Sequence, residues 1–320
     1  MMYSYVIRHG RIALQDKGAD PADATWIDLI APSREEVAVL GRLGVEVPTL
    51  ADMEEIEISN RLYREEGLDY MTAVLPGERG DGNRVIMPVS FILSPKRLVT
   101  VRHHSPRPFL TYPERGERST LGCATPHRLF IGLVEEIVAR LADILEGSGR
   151  LLDETTMGIF EIRSTRGQGN RLHAALRHVG REAEAMARVR LSLLTVERML
   201  AFYIATIDEQ PESGRLRPVV KGQLRDIQAL EVHADFLGSR VSLAVDTTLG
   251  MINLEQNNTV RVLSVVAALF LPPTLIASIY GMNFDVMPEL DWVLGYPMAI
   301  GLMAATAAVT WLVLRWKNWL

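Results

Sequence analysis

Eleven positions recur about every 3.5 residues along one stretch of the chain: Asp246, Gly250, Asn253, Asn257, Val260, Ser264, Ala267, Leu271, Thr274, Ser278 and Gly281. Nearly all are small or polar, whereas their neighbours Val262, Leu263, Val265, Val266, Leu269, Phe270, Leu275 and Ile276 are bulky and apolar. On a helix this spacing draws a single wettable line. Such a line needs cover from lipid, either in close helix–helix packing or along a water-filled path. Small residues suit packing; the asparagines and the threonine favour a path. The oxygens of Asn257, Thr274 and, just beyond the line, Asn283 are neutral acceptors. Acceptors of that kind suit Mg²⁺, which holds its water shell tightly and meets ligands through those waters. Neither apolar stretch described below contains His or Cys, so a conventional zinc or copper cage is not expected there.

The elements that must carry this line lie in the last sixty residues. Val262 to Phe284 and Trp292 to Leu314 are uncharged stretches of 23 residues each, about the length that crosses a ~30 Å hydrocarbon core as a helix. In lipid the backbone must satisfy its own hydrogen bonds, so a helical pair is the expected form. The connector, residues 285–291, carries Asp285, Glu289 and Asp291 and no cation, while Arg261 precedes the first stretch and Arg315 and Lys317 follow the second. The positive-inside bias then predicts an external acidic loop and both termini in the cytoplasm, with residues 315–320 as a short tail. The acidic loop would concentrate cations at the outer mouth. Two spans cannot enclose a channel, so a path implies a ring of identical chains, with membrane lipid around it.

The preceding ~260 residues read as soluble protein. Tyr3 to Arg8, Thr25 to Leu29, Leu68 to Leu75, Val85 to Leu93 and Arg97 to His103 are rich in β-formers. Ser33-Arg34-Glu35-Glu36 is a capping box opening a helix that Gly44 closes, and Pro48 to Ile56 reads as a second short helix. Residues 1–115 are therefore expected to form an α/β cytoplasmic domain, with the Pro/Gly-rich run from Ser105 to Thr125 as a connector. Residues 116–217 carry two apolar seams of helical spacing, Val134 to Leu152 with a possible interruption at Gly147 and Gly149, and Met186 to Tyr203. Gln210 to Gly214 reads as the turn after them. From Pro218, a good first-turn residue, no proline occurs until Pro272; a helix of some 64 residues is expected, with 218–261 as the cytoplasmic part of a stalk.

Composition narrows the function. A net charge of −5 without a basic run argues against a nucleic-acid partner, and no nucleotide-binding P-loop is present. The lone Cys123 excludes an intrachain disulfide and reads as a small buried hydrophobe. His103 and His104 are adjacent on a strand, point to opposite faces, and so are not expected to share an ion. No nucleophile–base constellation suggests an enzyme.

Tyr280-Gly281-Met282-Asn283-Phe284, followed by Met287-Pro288-Glu289-Leu290 and Trp292, resembles the signature loop of CorA-type magnesium channels. Val262-Leu263, Pro272, Thr274, Gly295-Tyr296-Pro297 and the terminal Trp319-Leu320 extend the resemblance over the whole chain. It implies an α/β cytoplasmic domain, long stalk helices and two C-terminal transmembrane helices, assembled as a homopentameric inner-membrane channel. The cargo implied is Mg²⁺, with Co²⁺ or Ni²⁺ in many relatives. By the same resemblance Gly281, Met282 and Asn283 form an outer selectivity ring, Thr274 and Asn257 are deeper polar positions, and Leu263 belongs to an apolar constriction. Regulatory Mg²⁺ is implied between neighbouring subunits, at Asp246 and either Asp81 or Glu78. Leu271 and Val260 stand where relatives carry methionine, and the tail is less basic than in many of them. The alternatives are a zinc transporter of the ZntB kind, and a membrane-anchored sensor or scaffold that conducts nothing.

Overall fold

The computed structural model describes residues 1–16, 18–55, 57, 61–161, 168–207, 212–283, 287–317 and 319. Two compact units are present: Met1–Glu161 with Leu176–Ala244, and Ile162–Ala175 with Val245–Leu320.

In the first unit, β1 (Met2–Arg8), β2 (Arg11–Leu14), β3 (Trp26–Ile30), β4 (Leu62–Glu65), β5 (Leu68–Glu78), β6 (Arg84–Leu93) and β7 (Leu98–Arg102) form one sheet in the order β2-β1-β3-β7-β6-β5-β4. Only β3 and β7 pair in parallel. The five expected strands are present; β2 and β4 are additions at the two edges. Both are four residues long, too short for a period-2 pattern to stand out, and they owe their form to pairing with β1 and β5.

Strand alternation sorts the core into two layers. Ile27, Leu29, Val99, Val101 and Ile92 face α1 (Arg34–Arg42) and α2 (Leu50–Glu54), where Leu40, Val45 and Met53 join them. The Ser33 box is formed and the chain turns at Gly44 with φ +74°. The helix expected from Pro48 occupies Leu50–Glu54, capped by Thr49; Ile56 lies outside the described residues. On the other face Trp26, Phe91 and Phe109 pack with Phe130 and Tyr203.

That second face also holds a buried polar network. Arg102 donates to both oxygens of Asp28, at 2.8 Å from Nη2 to Oδ2, and lies over the Phe109 ring. Thr100 donates to Asp28 at 2.7 Å and accepts from Trp26 Nε1 at 3.0 Å. Arg102 also reaches the His104 carbonyl, and His104 Nε2 pairs with the Leu75 carbonyl at 2.8 Å. His104 is therefore a core group, and His103 is not fully buried.

Three expectations about helices are corrected. The connector from Ser105 contains α3 (Pro108–Arg115), started by Pro108 and held by buried Phe109 and Tyr112. Gly147 and Gly149 do not interrupt α4 (Pro126–Glu161), because its apolar seam is buried throughout, from Leu129 to Ile159. After α5 (Gln168–Thr206), α6 begins at Ser213 rather than Pro218 and runs to Tyr280, 68 residues and roughly 100 Å at 1.5 Å each. Pro218 is thus the sixth residue of the helix, where it leaves the Gly214 carbonyl without its helical donor. Gln210 and Pro211 of the expected turn lie outside the described residues. Cys123 is buried, its thiol against the Gly10 carbonyl.

Burial lowers the His104 pKa from its ordinary 6.5 to about 4. A depressed histidine pKa means the unfolded chain takes the proton first. Its contribution is complete above pH 6.5 and is lost as pH falls towards 4, by about 3 kcal/mol at ~1.4 kcal/mol per unit. Thermal unfolding of the first unit should therefore lose stability steeply between pH 6.5 and 4.5, and the slope should flatten in His104→Gln.

Candidate functional site

The small-and-polar line lies on α6, and the structure shows which side of the helix it occupies. Asn257, Val260, Ser264, Ala267, Leu271, Thr274 and Ser278 are all exposed, as is Leu263 beside them. The apolar members are not sheltered either: Val260, Leu263 and Leu271 are 61%, 69% and 72% exposed. The half-covered positions of the same segment are Val265, Ala268, Leu269, Pro272, Pro273, Ile276 and Tyr280. At about 100° per residue, their centre lies roughly 150° around the helix from the centre of the line.

The last long helix, α7 (Gly295–Trp316), starts three residues after the expected Trp292 and extends past Leu314. It also has one covered face: Ala299, Met303, Thr306, Ala307, Thr310 and Leu314. The Thr306 and Thr310 hydroxyls bond to carbonyls of their own helix. Each apolar helix therefore has one covered side, and the wettable line is on the uncovered side of α6. Packing within the single chain leaves that line open.

Pro272 and Pro273 sit inside α6 and deprive the Ala268 and Leu269 carbonyls of helical donors, on the covered side. One residue later, the Thr274 hydroxyl donates to the Phe270 carbonyl at 2.7 Å. Its proton is thus committed within the helix, and its lone pairs are left for a donor on the exposed side.

Helix α6 stops at Tyr280. Gly281 and Met282 still donate to the Ala277 and Ile279 carbonyls, at 3.0 and 3.3 Å, and Asn283 follows outside the helix, exposed. Asp285 lies outside the described residues, with Phe284 and Val286. The loop resumes at Met287, turns through a short 3-10 segment at Pro288–Leu290, and presents Glu289 and Asp291 to solvent. A Cβ on Gly295 would collide with the Glu289 carbonyl, so glycine is required where the loop enters α7. The expected span boundary at Trp292 gave no sign of this.

The acids assigned to a regulatory site fall in different units. Asp246 is exposed on α6 in the second unit. Asp81 and Glu78 belong to the β5–β6 hairpin of the first unit. Asp81 accepts from Asn83 N–H at 3.0 Å and Asn83 Nδ2 at 2.8 Å, which lowers its pKa from the ordinary carboxylate value. Glu78 is exposed, and its backbone pairs with Ser105. Among the described residues no group of three or more His, Cys, Asp or Glu is placed to hold a metal within one chain.

The family model described as CorA-like Mg²⁺ transporter protein matches residues 21–316. The chain belongs to this family. A magnesium transport protein CorA of Pasteurella multocida is 32% identical over the full length of both chains. The complete CorA magnesium transporter structure from Methanocaldococcus jannaschii matches 100% of this chain and 99% of its own with a TM-score of 0.72 at 18% identity. The ZntB cytoplasmic domain of Vibrio parahaemolyticus matches 80% of this chain and 97% of its own, with a TM-score of 0.57 at 12% identity. At those identities the two structures establish the fold: an α/β domain, a long helix and C-terminal helices apolar enough to cross a membrane.

Because Cys123 is the only cysteine and is buried, single cysteines can report the exposure of α6. In membranes, cysteine at Ser264, Ala267 or Ser278 should react with a hydrophilic thiol reagent faster than cysteine at Val265 or Ile276. Equal rates on the two faces would remove the case for a wetted line.

Proposed function

We propose that this chain assembles as a homopentamer around α6 and conducts Mg²⁺ into the cytoplasm, driven by the membrane potential. The observation that carries the reading is the wettable line on the uncovered side of α6. Lipid is a poor cover for asparagine and hydroxyl groups, and the chain's own helices leave the line open, so further copies must supply the cover. A ring of copies with this face inward gives the line water.

Asn283 forms the outer ring in this reading, with Gly281 supplying backbone freedom and Met282 packing beside it. Asp285, Glu289 and Asp291 gather cations at the external mouth. Below them Ser278, Thr274, Ala267, Ser264 and Asn257 line the path. A hydrated Mg²⁺ presents water hydrogens outward and needs acceptors. Thr274, with its proton given to Phe270, is such an acceptor. Val260, Leu263 and Leu271 form apolar constrictions that close by drying. A divalent ion crossing 100 mV gains about 4.6 kcal/mol, so no nucleotide is needed.

Gating follows from charge. When internal Mg²⁺ is high, ions bridge Asp246 of one copy to Asp81 or Glu78 of its neighbour and hold the ring closed. When it falls, the uncompensated carboxylates repel and the constriction wets. Co²⁺ and Ni²⁺ share the oxygen-rich hydrated passage. Both termini are cytoplasmic and the membrane is the cell's inner membrane. Neither apolar stretch, Val262–Phe284 or Trp292–Leu314, carries His or Cys, which favours Mg²⁺ over zinc, and a scaffold without flux leaves the polar line unexplained.

Liposomes carrying the protein and a fluorescent Mg²⁺ reporter should fill under an inside-negative potential. Asn283→Ala or Thr274→Val should lower the rate about tenfold or more, because a hydrogen bond to a charged group contributes roughly 1.5–3 kcal/mol. No uptake by the unaltered protein would refute the channel. Separately, Asp246→Asn should weaken the protection that Mg²⁺ gives against proteolysis, and unchanged protection would remove the gating scheme.

A further inference from the structure

The loop that enters α7 is closed by a contact that leaves no room for a side chain. Pro288 opens the 3-10 turn Pro288–Leu290 and fixes its first φ. Met287 before it is partly buried, while Glu289 and Asp291 are exposed. Gly295 is the buried first residue of α7, and its N–H donates to the Trp292 carbonyl at 2.8 Å. A Cβ on Gly295 would stand 2.2 Å from the Glu289 carbonyl oxygen and 3.3 Å from the carbonyl carbon. The Glu289 peptide would have to retreat by roughly 1 Å to restore ordinary contact.

The requirement for glycine is spatial. Gly295 has helical backbone, which alanine adopts more readily than glycine, so α7 itself has no need of it there. Gly301, in the same helix, has open space where its Cβ would be. The atom that Gly295 makes way for belongs to the residue that carries an exposed carboxylate of the loop. Carbonyl and carboxylate of Glu289 share one Cα, so the glycine sets where the carboxylate stands.

We propose that Gly295 is a positioning residue for the outer mouth. By letting the Glu289 carbonyl close on the start of α7, it fixes the Glu289 carboxylate where that group draws hydrated divalent cations to the loop. Gly295 itself touches no cation. The inference rests on the reading of this loop as the mouth of a channel, but the attraction of a dication to a fixed carboxylate needs no conduction and can be read without it.

The test places a nitroxide beside the turn. Val293 is 93% exposed and lies four residues after Glu289; it is replaced by cysteine and labelled sparsely, and the buried Cys123 stays unlabelled. With the full-length chain in neutral detergent, relaxation of the label by hydrated Ni²⁺ is divided by relaxation by a neutral nickel chelate. At ~10 mM ionic strength the Debye length is ~30 Å, and one carboxylate about 8 Å away enriches a dication about fourfold. The ratio should fall about fourfold in Glu289→Gln and about twofold in Gly295→Ala. In a Glu289→Gln background, Gly295→Ala should lower it no further. Gly301→Ala should leave it unchanged. Pro288→Gly frees the same turn from its other end without crowding α7, and should lose as much as Gly295→Ala. An unmoved ratio in Gly295→Ala or in Pro288→Gly would overturn the proposal. So would a further fall in the double variant, or an equal change with both nickel reagents, which would mark Gly295 as structural only. Ion flux is not read, so a failure of the channel reading leaves this result standing, and an unmoved ratio leaves the channel reading standing.

Discussion

A polar line on a helix in hydrocarbon has to be covered. Every other feature of this chain's membrane end follows from that constraint. An uncovered amide or hydroxyl in lipid loses hydrogen bonds that water would have given it, and Thr274 shows one local remedy, spending its proton on the Phe270 carbonyl. Asn257 and Asn283 are exposed as well, and an amide has both donors and acceptors to satisfy. The covered side of α6 lies nearly opposite, where Leu269, Pro272 and Ile276 are partly buried. In the proposed assembly, association of copies covers this line, and a hydrated cation is the cargo whose chemistry suits the resulting lining.

The first unit meets a related problem by other means. Asp28 and Arg102 are charges in a core, which is tolerable only because each is paired and the remaining valences are taken by Thr100 and the His104 carbonyl. The network joins β3 to β7, the one parallel pair in the sheet, and packs against Phe109 of α3. Removing either charge strands the other. Such a pair is weak evidence of stability by itself, since an apolar replacement of both partners can be equally stable.

Long helices connect the two problems. Helix α6 is continuous from Ser213 to Tyr280 and is supported in its N-terminal half by neighbours on α4 and α5. Arg240 pairs with Asp153, Gln228 with Glu197, and Asp235 with Arg190. Asp246 and the apolar residues from Val260 to Leu271 lie on the same continuous helix, so in the proposed gating a charge change around Asp246 acts on the element that carries the constriction. The proposed gating needs no other linkage.

Much of this was legible in the residues. The two apolar stretches, the acidic connector, the central strands and the Ser33 box are local patterns whose physics acts within a few residues, and the structure reproduces those it describes. The α6 line was visible too, because helical spacing is itself a local property. Its side relative to the covered face was not: that depends on which neighbours surround the helix. The same reason hid β2 and β4, which are strands because β1 and β5 pair with them, and α3, which is a helix because Phe109 and Tyr112 have a core to enter. Sequence by itself determined which segments can be helix, strand or span, since backbone and side-chain preferences are short-ranged. Only tertiary structure decided which faces are left uncovered, because burial is a property of what stands opposite.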